Sequence, residues 1–365
     1  MSAPIHGGPD SGPPIAVDFS TNAHPMGPNP WLDERIRRAD RSRYPDPGYA
    51  ILREALGQFH GVAPARVVIG ASASELIWRL TRAWGALDRP AAVTSHRTFG
   101  EYLRAARAIG LPVRSGARGG SGAFLLWCCN PDNPSGAMRD REIAAAVKHM
   151  SAPRGSRGIV AADLAYWPFR QLLGGKPSLQ LDAPWSDEVV QLWSPNKLHG
   201  LTGVRAAYLI LPVTSPRLSR TQLESLAPSW PVGADGVELL AGHTQREAMR
   251  FLDETAPALR AWKALQDRRL AAAGWKPQAS GMHFGLWQPP VPRTSQRAWH
   301  AELRLSGIKV RDAQSFGRPG WVRLVTRAPQ HVEELIAITD RCREGQPDGK
   351  LTVPGRPRAR QARMR

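Results

Sequence analysis

The run Ser194-Pro-Asn-Lys197-Leu-His-Gly-Leu-Thr-Gly-Val-Arg205 sets a lysine on a turn behind the apolar stretch Val189 to Leu192, with two glycines after it and an arginine eight positions on. Lysine condenses with aldehydes to a Schiff base, and a neighbouring cation suits the phosphate of an aldehyde cofactor. That combination points to pyridoxal phosphate. A lysine on a turn is also an ordinary solvated residue in most proteins, so the weight falls on three upstream segments.

Arg157-Gly-Ile-Val-Ala-Ala reads as a buried strand and runs into Asp163-Leu-Ala-Tyr166. Open α/β sheets bind ligands at the carboxyl ends of their strands, where an aspartate can keep a pyridine nitrogen protonated; the same aspartate could instead cap the following segment. Trp127-Cys-Cys-Asn-Pro-Asp-Asn133-Pro-Ser-Gly136 is a second apolar strand ending in a turn stiffened by two prolines, so Asn133 can offer its amide to one place. Val67-Val-Ile-Gly-Ala71-Ser72-Ala-Ser-Glu75 joins a strand through small residues to a helix N-terminus, a natural seat for phosphate. Ser72 and Glu75 fit a helix capping box equally well.

In this order and spacing the four segments resemble the fold-type I pyridoxal-phosphate enzymes of the aminotransferase class I/II group, over nearly the whole chain. The narrower likeness is to the branch of histidinol-phosphate aminotransferase and threonine-phosphate decarboxylase. It is carried by His6-Gly-Gly8, Asp18-Phe-Ser-Thr-Asn22, Pro25-Met-Gly-Pro, Arg43-Tyr44-Pro-Asp-Pro47 and Trp321-Val-Arg323-Leu. The resemblance implies that Lys197 carries the Schiff base and then moves the proton. It implies that Asp163 pairs with the pyridine nitrogen, that Tyr166 and Asn133 bond the phenolic oxygen, and that Phe99 stacks on the ring. Ala71, Ser72, Ser194 and Arg205 match phosphate-binding positions. Tyr44 matches a tyrosine that reaches the phosphate in the neighbouring subunit, which implies a homodimer. His6, Asn22 and Arg323 would face a small phosphorylated amino substrate, with Arg323 on its carboxylate, where a guanidinium fork suits the anion. Asn196 stands where the family often has serine, with Pro195 before it, a departure on the phosphate side of the turn.

Two reactions remain open. The opening His6-Gly-Gly8 followed by Asp18 to Asn22 resembles threonine-phosphate decarboxylases, in which the histidine helps bind the substrate phosphate, and this favours decarboxylation of L-threonine O-3-phosphate in cobalamin synthesis. Transamination of histidinol phosphate or a similar amine is the alternative, and a cofactor-binding protein without turnover is the third reading. Both reactions break a Cα bond held perpendicular to the cofactor ring, so substrate anchoring decides between them.

Composition fits an enzyme of the cytoplasm. The chain has 365 residues, 42% of them hydrophobic, enough for a large core. No apolar run reaches membrane-spanning length and no signal-peptide pattern opens the chain. Its three cysteines, Cys128, Cys129 and Cys342, lack zinc-site spacing and suit a reducing compartment. The net charge of +18 raises nucleic acid as a partner. No nucleic-acid module accompanies it, much of the excess lies in amphipathic segments such as Arg35-Ile-Arg-Arg38, and no specific nucleic acid is expected. Such a surface can steer phosphorylated substrates.

Positioning these groups requires an α/β fold. From Val67 to about Leu211, strands alternate with helices, which predicts a mostly parallel sheet with helices on both faces, and the short connection before Ala206 predicts an antiparallel strand. Beyond Pro212 come helical sequence from Glu238 to Ala273, broken near Pro257, and strands Met282 to Trp287, Ile308 to Arg311 and Trp321 to Val325, a smaller α/β domain. The expected organisation is an N-terminal segment 1–44 joining the small domain and dimer interface, an aminotransferase-like large domain 45–235, a small domain 236–345 and a basic tail 346–365.

Overall fold

The computed structural model of the chain describes residues 7–86, 92–94, 98–115, 124–151, 158–174, 181–214 and 218–344. After strand β1 (Val17–Asp18), helix α1 (Pro30–Arg37) begins at Asn29, whose side-chain oxygen accepts from the Leu32 amide. Pro30 at the first helical position gives up no hydrogen bond. Helix α2 (Ala50–His60) buries Leu52 and Leu56 and ends on Gly61 in the left-handed conformation. There follow β2 (Val67–Gly70), α3 (Ala73–Gly85), β3 (Ala92–Thr94), α4 (Glu101–Ala108), β4 (Val113–Ser115), β5 (Phe124–Cys129), α5 (Asp140–Ser151), β6 (Gly158–Asp163), α6 (Trp167–Leu173), β7 (Val190–Trp193) and β8 (Ala207–Ile210).

These strands form one sheet in the order β2-β8-β7-β6-β5-β3-β4. Only β8 runs antiparallel to its neighbours, because the link from β7 is taken up by the lysine turn rather than by a crossover helix. Phe124, Leu126 and Cys128 of β5 enter the core on one face with Val160, Ala162 and Trp193; Leu125 and Trp127 enter the other with Ala161 and Leu192. Burial on both faces is why β5 and β6 read as unbroken apolar runs.

The chain continues through α7 (Arg220–Ser225), α8 (Ala234–His243), α9 (Arg246–Ala272), β9 (Lys276–Pro277), β10 (Phe284–Gln288), α10 (Gln296–Leu305), β11 (Ile308–Lys309), β12 (Arg311–Asp312), β13 (Val322–Val325) and α11 (Pro329–Arg343). An antiparallel four-stranded sheet has the order β12-β13-β10-β9, and β1 pairs in parallel with β11. Val17 and Phe19 share the core of Trp275, Trp287, Trp299 and Leu335, so the N-terminal segment is built into the C-terminal part of the molecule.

Two expectations are corrected. The helical stretch breaks at Thr244–Gln245, where the Thr244 hydroxyl donates to the Ala241 carbonyl, and it runs unbroken through Pro257. In the turn before that proline the Thr255 hydroxyl donates to the Phe251 and Leu252 carbonyls. The single strand expected from Ile308 to Arg311 is two, one pairing with β1 and one with β13. The tail 346–365 lies outside the described residues. No helix among those described is long and apolar enough to cross a membrane.

Candidate active site

Every turn singled out in the sequence lies at one edge of the seven-stranded sheet. Strands β2, β5, β6 and β7 end at Gly70, Cys129, Asp163 and Trp193, and antiparallel β8 begins there, just after Arg205. The carboxyl edge of such a sheet is where α/β folds bind ligands.

Asp163 closes β6 with Cys129 and Leu192 as its cross-strand partners. It is buried, with one carboxylate oxygen accepting from the Tyr102 hydroxyl at 2.6 Å and the other from the Ala165 amide at 3.0 Å. Burial pushes its pKa above the ordinary carboxylate range, against the pull of the Tyr102 hydroxyl, the Lys197 ammonium and the Ala165 amide. Tyr102 is itself buried and lies parallel to Trp127, with ring centroids 4.9 Å apart, which fixes the direction of its hydroxyl.

Lys197 sits where the chain leaves β7. Its Nζ has one long contact, 3.4 Å to the Ser194 hydroxyl, and stands 5.8 Å from the centre of the Tyr166 ring. Burial lowers its pKa, Asp163 raises it, and Arg205 lowers it again. A partly desolvated amine of this kind is a better nucleophile at neutral pH than a surface lysine. Asn196, the departure from the family pattern, is buried; its oxygen accepts from the Ser194 hydroxyl and its amide donates to the Val204 carbonyl. In this chain, therefore, Asn196 braces the turn.

Across from the lysine, Arg323 of β13 donates to the Asn133 side-chain oxygen at 2.5 Å and to the Ser20 carbonyl. Its Nε is buried without a hydrogen-bond partner among the described residues, as are both amide atoms of Asn22. Tyr166 caps α6 with its ring edge-on to Phe284 at 4.9 Å, and burial pushes its phenol above the ordinary range. Orphaned buried groups converging on one spot mark a place that a polar ligand completes.

Ala71 and Ser72 lie beside Arg205, because Gly70 pairs with Ala207. The Ser72 hydroxyl accepts from the Glu75 amide and caps α3, while the Ala71 amide donates to the Glu75 carboxylate, which also pairs with Arg79. Both groups expected at the phosphate are thus engaged in the helix cap, and Arg205 is the exposed cation beside them. Phe99 is half-buried and meets Tyr102 edge-on at 5.7 Å.

Not all expected residues join this cluster. Tyr44 is 78% exposed and stacks on Trp230 at 4.4 Å. His6 lies outside the described residues. The glycines after it are packed on the strand that leads to Asn22: a Cβ on Gly7 would fall 2.1 Å from the Ser20 carbonyl oxygen, and the Gly8 amide donates to the Ser20 hydroxyl.

Sequence reading missed Tyr102 and Arg311. Tyr102 follows Phe99 by one helical turn on an apolar face, which disguises it as core. Arg311 is buried directly opposite Arg323 in the β12–β13 register and donates to Ser315. Its strand has two residues, too few for a periodic signal. No group of three His, Cys, Asp or Glu suited to a metal occurs among the described residues.

The donor set fits pyridoxal phosphate on its own chemistry. A buried carboxylate can face a protonated ring nitrogen, a desolvated amine an aldehyde, the Asn133 amide a phenolic oxygen, and a cation a phosphate.

Comparison with known proteins agrees with that fit. The family model described as aminotransferase class I and II matches residues 15–338. Histidinol-phosphate aminotransferase of Frankia casuarinae is 26% identical, with 93% of this chain and 88% of that protein covered. Among solved structures, histidinol-phosphate aminotransferase from Sinorhizobium meliloti in complex with pyridoxal-5'-phosphate superposes with TM-score 0.69, 20% identity and coverage of 91% and 92%. L-threonine-O-3-phosphate decarboxylase from Porphyromonas gingivalis gives 0.67, 19%, 90% and 99%. At such identities the structural likeness speaks for the fold.

Proposed function

The chain belongs to the aminotransferase class I and II family, and from that premise we propose that it is a pyridoxal-phosphate enzyme acting on a small phosphorylated amine or amino acid. The observation that carries this reading is half-buried Lys197 gathered with buried Asp163, Asn133 and Arg323, with Arg311 in register beside Arg323. Two buried arginines side by side in the β12–β13 register suit a substrate with two anionic groups, one carboxylate and one phosphate.

When bound, pyridoxal phosphate supplies an aldehyde for an amine and a ring that draws electrons from the substrate Cα. Asp163, held by Tyr102 and Ala165, would keep a proton on the ring nitrogen. Asn133 and Tyr166 would offer hydrogen-bonding groups to the phenolic oxygen, and Phe99 would cover the ring. Arg205, Ser194 and the Ser72 hydroxyl, which accepts in the cap and can still donate, would hold the phosphate, joined by the Ala71 amide once it leaves the Glu75 carboxylate. Lys197 would hold the cofactor's aldehyde end through Nζ, and the same amine would carry a proton to or from the substrate Cα. Arg323 exchanges the Asn133 oxygen and the Ser20 carbonyl for the substrate carboxylate, and Asn22 closes over it. Tyr44, exposed beside Trp230, acts at the site of a second copy in a homodimer. A large domain 45–235, a small domain 236–345 joined by residues 1–44, and a cytoplasmic setting for a chain whose three cysteines form no disulfide belong to the same proposal.

Transamination is the reaction that the names of the curated relatives support. Decarboxylation of L-threonine O-3-phosphate is supported by the packing of Gly7 and Gly8, the residues next after His6 in sequence, on Ser20, whose carbonyl binds Arg323. Two assays separate them. Incubation with L-threonine O-3-phosphate is followed for carbon dioxide and aminopropanol phosphate, and histidinol phosphate with 2-oxoglutarate is followed for glutamate. Turnover in neither, with the cofactor bound, would leave the non-catalytic reading standing.

A further inference from the structure

Among the described residues Lys197 makes no short hydrogen bond through its amine, so the turn beneath it must set where Nζ stands. Three contacts hold that turn from the N-terminal side: the His24 amide donates to the Lys197 carbonyl, the Asn29 amide donates to the His199 carbonyl, and Gly27 crosses Gly200 so closely that a Cβ on Gly27 would fall 2.7 Å from the Gly200 Cα. A fourth contact runs through side chains. The Asn29 amide nitrogen lies 3.2 Å from His199 Nδ1, and His199 Nε2 lies 3.0 Å from His243 Nδ1, all three residues being buried.

Chemistry gives this chain a direction. The Asn29 oxygen accepts from the Leu32 amide at the start of α1, and its nitrogen also donates to the Ala248 carbonyl, so the amide cannot be turned around. His199 Nδ1 must then accept, its proton sits on Nε2, and that proton is donated to His243 Nδ1. Each imidazole is neutral and in one tautomer. From the other elements packed here, His24 faces His199, and His60 and Phe59 of α2 face His243.

We propose that Asn29, His199 and His243 form a one-way hydrogen-bonded relay that holds the Lys197 turn in register with Asp163, which makes His199 and His243 positioning residues for the lysine. This rests on the reading of Lys197 as the cofactor lysine. The relay ties the turn at once to the start of α1, the end of α8 and the start of α9, and loss of one acceptor frees it from α8.

The test compares full-length wild type, His243→Leu and His243→Asn by hydrogen–deuterium exchange of the amides of residues 194–201, before and after loading with pyridoxal phosphate, and by the pH midpoint of the visible absorbance after loading. His243→Leu removes the acceptor and should speed exchange of the Gly200 and Leu201 amides about tenfold or more without cofactor. The same variant should move the absorbance midpoint by about half a pH unit or more. His243→Asn, whose side-chain oxygen falls near the Nδ1 position, should recover most of both effects. Wild-type exchange in His243→Leu, or equal losses in both variants, overturns the proposal. If His243→Leu does not fold, Asn29→Ser, which keeps the cap oxygen and deletes the donor, takes its place with the same two outcomes. Absence of a visible band in loaded wild type would instead refute the cofactor reading, since the exchange measurement does not depend on it.

Discussion

Replacing Tyr102 with phenylalanine removes one hydroxyl and leaves the stack on Trp127 and the edge contact with Phe99 in place. The lost bond is a 2.6 Å donation to a buried carboxylate, and hydrogen bonds to charged groups contribute about 1.5–3 kcal/mol. Asp163 keeps the Ala165 amide and the Lys197 charge, so its already raised pKa rises further. The sign of the linkage follows. A carboxyl whose folded pKa lies above its unfolded value stabilises the fold below the unfolded pKa and loses that contribution as pH rises through the folded one. Tyr102→Phe should therefore cost the cofactor-free protein more at pH 8 than at pH 5, with a fall in Tm of roughly 2–4 °C for a chain of this size. Loading with pyridoxal phosphate should widen the difference from wild type, because the protein that binds the cofactor more tightly gains more stability from it. Affinity for pyridoxal phosphate should fall by about 10–100-fold, since the carboxylate is less available to the ring nitrogen. Calorimetry with and without cofactor at the two pH values, together with a fluorescence titration of cofactor binding, measures all of this. An unchanged Kd with an unchanged pH dependence would show that Tyr102 does not hold Asp163 in its working state.

Three other perturbations probe separate parts of the site. Arg323→Lys keeps the charge but loses the fork, and KM for the substrate should rise about 10–100-fold with a smaller change in kcat, read from steady-state kinetics; an unchanged KM would remove the carboxylate role. Arg311→Gln should raise KM for a phosphorylated substrate by a similar factor, about 10–100-fold, and leave that for its unphosphorylated analogue nearly unchanged; equal effects on both would end the phosphate assignment. His243 and His24 are each lowered by burial to about 4, and His60 to about 3. Groups with depressed folded pKa values stabilise the fold above their unfolded value and lose that contribution as pH falls. A drop from about 6.5 to about 4 is worth roughly 3 kcal/mol per histidine, so circular dichroism should record acid unfolding between pH 6.5 and 4; a chain still folded at pH 3.5 contradicts the buried neutral imidazoles.

What the sequence revealed follows from where each signal resides. Strands β5, β6 and β7 are apolar on both faces and run into turns built of proline, asparagine and glycine, so both the elements and the chemistry at their ends could be read locally. Asp163, Asn133 and Lys197 share one sheet edge because parallel order forces it. The antiparallel direction of β8 was visible in the absence of a crossover. Contacts between distant residues were less legible. Ser72 and Glu75 carried two meanings, and the folded chain uses them as a helix cap. Tyr102 looked like core because its ring is core; only its hydroxyl reaches Asp163. The partner of His199 lies on another helix, and the tautomer that joins them depends on Asn29, far earlier in the chain. Pro257 was read as a break by its missing donor, yet α9 continues through it with Ala256 and Leu259 buried on either side, and packing overrode the local cost.

Every role proposed for the site depends on covalent chemistry at one amine. Wild-type protein loaded with pyridoxal phosphate, reduced with borohydride, digested and analysed by mass spectrometry should carry a phosphopyridoxyl group on Lys197, with Lys197→Ala unlabelled. Label on another lysine, or none at all, would contradict it.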